Sequence, residues 1–178
     1  MSKAPVIHIG GWPGSGKATI GLALADLCGG RLLHNHIFLD GARAVFERGT
    51  AACAELREQI REVILTAALG LPDDVPIILT DALSDAEEDF ALFQPTIDFA
   101  RKRGAVLFPV VLDVEVSENV RRLTNAGRSG AKLTDVQVLM DLRERLELLM
   151  PENAVWLDVT DLKASAAAHK IAKQTGLI

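Results

Sequence analysis

Seven consecutive residues carry the clearest chemistry in the chain: Gly11-Trp12-Pro13-Gly14-Ser15-Gly16-Lys17, spaced G-x-x-x-x-G-K. A loop that wraps an anion must turn its backbone N–H groups inward. Glycines allow the tight curl and the close approach that this requires. A helix that starts where the loop ends directs its positive end at the same anion. Lys17 then reaches the outer phosphates as a point charge. The pattern predicts a site for the phosphates of a purine nucleoside triphosphate, ATP, contacted by Gly11, Pro13, Gly14, Ser15, Gly16, Lys17, Ala18 and Thr19. One position departs from the full motif. The residue after the lysine ordinarily carries a hydroxyl that holds Mg²⁺, and here it is Ala18. Thr19 keeps the next hydroxyl, so an inner-phosphate contact survives while the direct metal contact is lost. Magnesium is then expected on phosphate oxygens, water and a carboxylate such as Asp81.

The loop needs a strand before it and a helix after it. Val6-Ile7-His8-Ile9 reads as the first strand, and Ile20, Leu22, Leu24 and Leu27 mark a helix from Lys17 that ends at Gly29-Gly30. Arg31 to Phe38 reads as a second strand. Ala42 to Leu71 is mostly helical with a break near Gly49-Thr50. Pro76 to Thr80 is a third strand, closed by Asp81. Ser84-Asp85-Ala86-Glu87 fits a capping box for a helix reaching about Arg103. Ala105 to Leu112 is a strand buried on both faces, with Pro109 predicting a bulge or a one-sided gap. Thr134-Asp135-Val136-Gln137 is a second capping box, followed by an amphipathic helix. Ala154 to Leu157 is the last strand and Ala164 to Lys173 the closing helix. This alternation predicts a mostly parallel sheet of about five strands with helices on both faces, an α/β/α sandwich. Ligands gather beyond the carboxyl ends of such strands, where Gly11–Lys17, His34–His36, Asp81 and Asp113 fall.

The bulk composition is that of a globular domain. The chain has 178 residues, 49% hydrophobic and 24% charged, which suits one domain with a real core. A net charge of −5 argues against a general nucleic-acid binder. No stretch reads as a signal segment or a bilayer span, so a cytoplasmic protein with no membrane partner is expected. Cys28 and Cys53 lack metal-ligand spacing and read as reduced thiols. His8 and His169 read as strand core and exposed helix. No heptad stripe marks an oligomer.

The sequence resembles the small P-loop metabolite kinases, the group of shikimate kinase, gluconate kinase and nucleoside monophosphate kinases. The likeness rests on Gly-Trp-Pro-Gly-Ser-Gly-Lys-Ala-Thr at 11–19, the helix Ile20 to Leu27 and the spacing of the second strand. It continues through Val-Leu-Asp at Asp113, Asn119-Val120-Arg121-Arg122, Gly127-Arg128-Ser129-Gly130 and Leu157-Asp158-Val159-Thr160. It implies a sheet ordered 2-3-1-4-5, an acceptor-binding subdomain at about 35–70 and a lid at about 121–134. It also implies ATP, Mg²⁺, and lid arginines that neutralise the transferring phosphoryl group. Arg128 is the candidate for that role, with Arg121 or Arg122 assisting, since phosphoryl transfer is mostly positioning plus charge stabilisation.

Shikimate kinases carry Asp-x-Asp on strand two, and an ungapped count from Lys17 places His34 and His36 there. On a strand the two would share a face and Asn35 would point away. Either could contact the acceptor, and His36 or Asp40 is a candidate base. Hydrogen bonding at a strand end, or zinc, are the other readings of the histidine pair. Arg43, Arg48, Arg57 and Arg61 follow. Arg43 and Arg57 suit an anionic group on the acceptor, and ion pairing with Glu55, Glu58 and Glu62 is the equal alternative. Trp12 packs either on the acceptor or at the loop base. The expected activity is transfer of the γ-phosphoryl group of ATP to a small molecule. A nucleoside monophosphate kinase, or a nucleotide-binding regulator with little transfer activity, are the alternatives.

Overall fold

The computed structural model describes residues 3–125 and 133–178. Five strands form one parallel sheet in the order β2-β3-β1-β4-β5. They are β1 (Val6–Gly11), β2 (Arg31–His34), β3 (Ile77–Thr80), β4 (Leu107–Asp113) and β5 (Val155–Asp158). The described residues form seven helices: α1 (Lys17–Cys28), α2 (Asn35–Arg43), α3 (Ala51–Ala68), α4 (Glu87–Arg103), α5 (Val116–Leu123), α6 (Val136–Arg145) and α7 (Ala164–Gln174). None is long and apolar enough to cross a membrane.

Strand alternation sorts the core into two layers. Ile7, Ile9, Ile78, Val110 and Leu112 pack with Leu24 of α1 and Ile171 of α7. Val6, Ile77 and Leu79 turn the other way, onto Leu65 of α3 and Phe99 of α4. A third cluster gathers Trp12 with Leu123, Leu139 and Leu148 at the carboxyl edge of the sheet. Pro109 leaves the β1 register unbroken, opposite His8, whereas β5 begins to pair only at Val110. The missing donor is thus placed where the sheet ends on one side, and no bulge forms.

The second strand is shorter than its sequence suggests. It stops at His34, and Asn35 to Arg43 is helical. Phe38 and Ala42, 2% and 0% exposed, lie four residues apart and form the buried face of this helix. The Asn35 N–H reaches the Thr80 hydroxyl at 3.4 Å as the chain turns. Thr50 caps α3, accepting from the Cys53 N–H at 3.2 Å, after the break expected near Gly49. The first capping box does not cap. Ser84 is held in a bridge to Leu148 and α4 starts at Glu87, its first turn carrying Glu87, Glu88 and Asp89 against the helix dipole. In the second box Asp135, not Thr134, is the cap, accepting from Gln137 and Val138. Helix α5 has no counterpart in the sequence reading.

Arg103, 2% exposed, fastens the end of α4 to the turn after α3. It donates to the carbonyls of Ala68, Leu71, Pro72 and Val75 at 2.7–3.3 Å. A methionine would fill the space and leave these carbonyls without their donor. Arg103→Met is expected to lower unfolding free energy by about 3 kcal/mol with nucleotide affinity unchanged. Urea denaturation alongside calorimetric titration checks it.

Candidate active site

The loop between β1 and α1 forms because its glycines accept geometry no other residue takes easily. Gly11 (φ 145°) and Gly14 (φ 90°) lie in the positive region. A Cβ on Gly11 would sit 2.8 Å from the Leu112 carbonyl, and one on Gly14 would sit 2.6 Å from Asn119 Nδ2. Gly16, also at positive φ, is the N-cap of α1. Ser15 is fully buried, and its N–H closes the turn onto the Trp12 carbonyl at 3.1 Å. Lys17 Nζ donates to the carbonyls of Gly11 and Trp12 at 2.7 and 2.8 Å. The lysine therefore lies across the mouth of the loop.

Two groups brace the loop from behind. Asn119 on α5 is fully buried and donates to the Pro13 carbonyl at 2.9 Å, while its own Oδ1 accepts from Arg143 of α6 at 2.9 Å. The Arg143 guanidinium lies 5.6 Å from the centre of the Trp12 ring, a cation–π arrangement. Arg122 donates to the Ser15 carbonyl at 3.3 Å and to the Val159 and Thr160 carbonyls at 2.8 Å. Glu118 holds Arg122 and Arg121 together, and the two arginines keep its carboxyl at about 2. Arg122 therefore touches the loop backbone, and Arg121 is exposed on the outer face of the helix. Asn119 and Arg143 went unnoticed as loop braces. The signal available was the spacing Val116, Asn119, Val120, Leu123, one face of an α-helix.

In front of the loop lies a cleft of about 180 Å³, lined by Gly14, Gly16, Lys17, Ala18, Thr19, Asn35, His36, Leu39, Arg48 and Asp81 among others. The helical turn at Asn35 changes which residues face it. Asn35 and His36 line it together, and His34 instead stands at the N-cap position of α2 with no side-chain cap bond, so the strand-type alternation expected at 34–36 is corrected. His36 Nδ1 stands 3.7 Å from Asp40 Oδ1, one turn along the helix. Arg43 is half-buried in the last turn of α2, away from the cleft wall. Arg128 lies outside the described residues, as does about half of the expected lid, residues 126–132.

Asp81 closes the floor of the cleft at 2% exposure. Around it stand His8 Nε2 at 3.5 Å, Arg61 Nη2 at 3.6 Å and Arg57 Nη2 at 4.0 Å. Burial pushes the carboxyl up, but contact with His8 and the charges of Arg61, His8 and Arg57 outweigh it, so Asp81 ends below the ordinary carboxylate range. Arg61 is itself 1% exposed and donates to the Leu92 carbonyl and the Thr96 hydroxyl of α4, both at 2.9 Å. Arg61 meets Asp81 rather than a neighbouring glutamate, whereas Arg57 approaches Glu58 at 3.7 Å as well as Asp81 at 4.0 Å.

The chain matches no protein-family model. Among curated proteins it is similar to a cytidylate kinase of Colwellia psychrerythraea, 26% identical over 96% of each chain. Among solved structures it is similar to a tunicamycin resistance protein of Deinococcus radiodurans, with 19% identity, 99% and 98% coverage and a TM-score of 0.65. It is also similar to a gluconokinase of Sinorhizobium meliloti 1021, with 18% identity, 98% and 97% coverage and a TM-score of 0.60. The fold is that of the P-loop small-molecule kinases. In that fold the loop at 11–17, the cleft before it and the sheet order 2-3-1-4-5 take the places the sequence predicts.

Asp81→Asn would leave Arg61 buried with its charge unbalanced, and is expected to lower unfolding free energy by about 3 kcal/mol at neutral pH. The folded carboxyl titrates below its unfolded value of 3.8. The stabilisation is therefore complete well above that value and drains away as pH falls through the lower folded one. The parent and variant stability curves should converge as pH falls below 3.8, as denaturation across a pH series would show.

Proposed function

We propose that this protein is an ATP-dependent phosphotransferase that moves the γ-phosphoryl group to a small-molecule acceptor. The observation that carries this reading is Lys17 across the mouth of a glycine-shaped loop, opening onto a cleft that also presents Thr19, His36 and Asp81. The loop N–H groups and the start of α1 bind the triphosphate, and Lys17 exchanges its two carbonyl partners for phosphate oxygens. An acceptor hydroxyl in the cleft gives its proton to His36 as its oxygen bonds to the γ-phosphorus. The bond from that phosphorus to the bridging oxygen breaks, and ADP leaves. Asp40 holds the imidazole, and Arg128 neutralises the equatorial oxygens. Arg57 meets the acceptor's anionic group where it has one, with Arg43 and His34 in the surrounding shell.

Magnesium fits this cleft in a reduced way. Ala18 offers no oxygen. Asp81 is the one carboxylate among the described residues lining the cleft, and its buried Oδ1 has no hydrogen-bond partner there. Asp81 through a water, with Thr19 beside the phosphates, would hold the ion. The ion would supply charge neutralisation across the β- and γ-phosphates. Cytoplasmic placement completes the reading. A second reading has the support of the 26% identity to a cytidylate kinase, in which the acceptor is a nucleoside monophosphate.

Lys17→Ala is expected to raise the Kd for ATP by at least about tenfold with the fold intact, and equal affinity in calorimetry would remove the nucleotide assignment. Supplying CMP and other nucleoside monophosphates with ATP, and following ADP, separates the two readings. Once an acceptor is in hand, the pH–rate profile tests the base. His36 shares the cleft with Lys17, Arg48 and Asp81, and its own helix with Asp40. His36→Asn should abolish an acid limb in the imidazole range along with most of kcat, and a limb that persists in the carboxylate range assigns the base to Asp40.

A further inference from the structure

A second cavity, of about 210 Å³, adjoins the phosphate cleft. The two share Pro13 and Ala82 as a common wall. Beyond that wall the lining is mainly apolar: Trp12, Leu83, Ala86, Leu142 and Leu146. Ser84 and Asp89 in the lining bond one another. The N–H and hydroxyl of Ser84 both donate to Asp89 Oδ2, at 2.7 and 2.6 Å. The space is larger than the cavity of about 150 Å³ that admits benzene, so a six-membered ring or a branched alkyl group fits.

Trp12 is held for such contact. Its ring meets the Arg143 guanidinium, and Arg143 is fixed in turn by Asn119 at 2.9 Å. The same residue is the second of the phosphate loop, so the apolar wall and the phosphate site are one covalent unit. A group seated against Trp12 is therefore placed at a fixed distance from whatever the loop binds.

We infer that the acceptor is an amphipathic alcohol, whose hydroxyl enters the phosphate cleft and whose aryl or branched-alkyl group occupies the Trp12 cavity. This rests on the phosphotransferase reading and narrows its substrate class. Carbohydrate-like acceptors, hydroxylated throughout, would lose hydrogen bonds to water against Leu83, Leu142 and Leu146 without recovering them.

The test uses the full chain with a non-hydrolysable ATP analogue, and benzyl alcohol as the probe. Methyl resonances of Leu83, Leu142 and Leu146 are expected to shift saturably on titration. Ala86→Phe and Leu146→Trp, which fill the cavity by two routes, are expected to raise the apparent Kd of the probe by at least about tenfold. Affinity for the ATP analogue in both variants reports that the fold and the loop are intact. Absent or non-saturating shifts, or equal probe affinity in folded filled variants, overturn the cavity assignment. Turnover is then followed as ADP formation with a panel of aryl and branched alcohols and a panel of polyols. Transfer to the aryl or branched alcohols, lost in the filled variants, supports the proposal. Transfer to polyols alone, at the same rate in the filled variants, overturns it and leaves the phosphotransferase reading standing. Saturable probe binding with no ADP from any acceptor overturns the phosphotransferase reading, and with it the acceptor role of the cavity.

Discussion

Removing a carboxylate from water costs several kcal/mol unless opposite charge travels with it. Asp81 makes that passage at the carboxyl end of β3, and the surrounding fold is arranged to allow it. Arg61 comes from α3, His8 from β1, and α4 holds Arg61 through Leu92 and Thr96. Two strands and two helices are therefore joined by one charge cluster under the cleft floor. The cluster fixes where an ionised oxygen lies at the cleft floor.

The phosphate loop depends on a different kind of support. Its curl leaves carbonyls pointing backward, and side chains from α5 collect them, with Arg143 of α6 holding one of these in place. Asn119 takes the Pro13 carbonyl and Arg122 the Ser15 carbonyl. These two bonds hold the curl of the loop in place. Trp12 belongs to this support as well, packed with Leu123, Leu139 and Leu148 on one side and bordering an apolar cavity on the other.

Much of this could be read from residue order, and the limits have physical causes. The loop was legible because positive-φ glycines and a terminal lysine are demanded locally. The sheet order followed from the likeness to P-loop kinases, and the alternation of apolar runs matched its elements. The end of β2 was misplaced because Arg31 to Phe38 satisfies a strand pattern until Phe38 and Ala42 are seen as partners one helical turn apart. The Asp81 cluster was hidden for another reason. His8, Arg57 and Arg61 are distant in sequence, and a glutamate beside an arginine on a helix offers a nearer but weaker partner. Helix α5 is short and strongly charged, and its arginines drew attention away from Asn119, which faces inward.

The outer strands of the sheet, β2 and β5, have four residues each. A sheet edge offers unpaired backbone groups to any passing extended chain, and the offer grows with its length. Here one edge turns into a helix at Asn35, and the other ends at Asp158, whose side chain turns back to the Thr160 N–H and hydroxyl. Both rims are short. The early end of β2, which brings Asn35 and His36 to the cleft, thus also shortens the edge left open to such pairing.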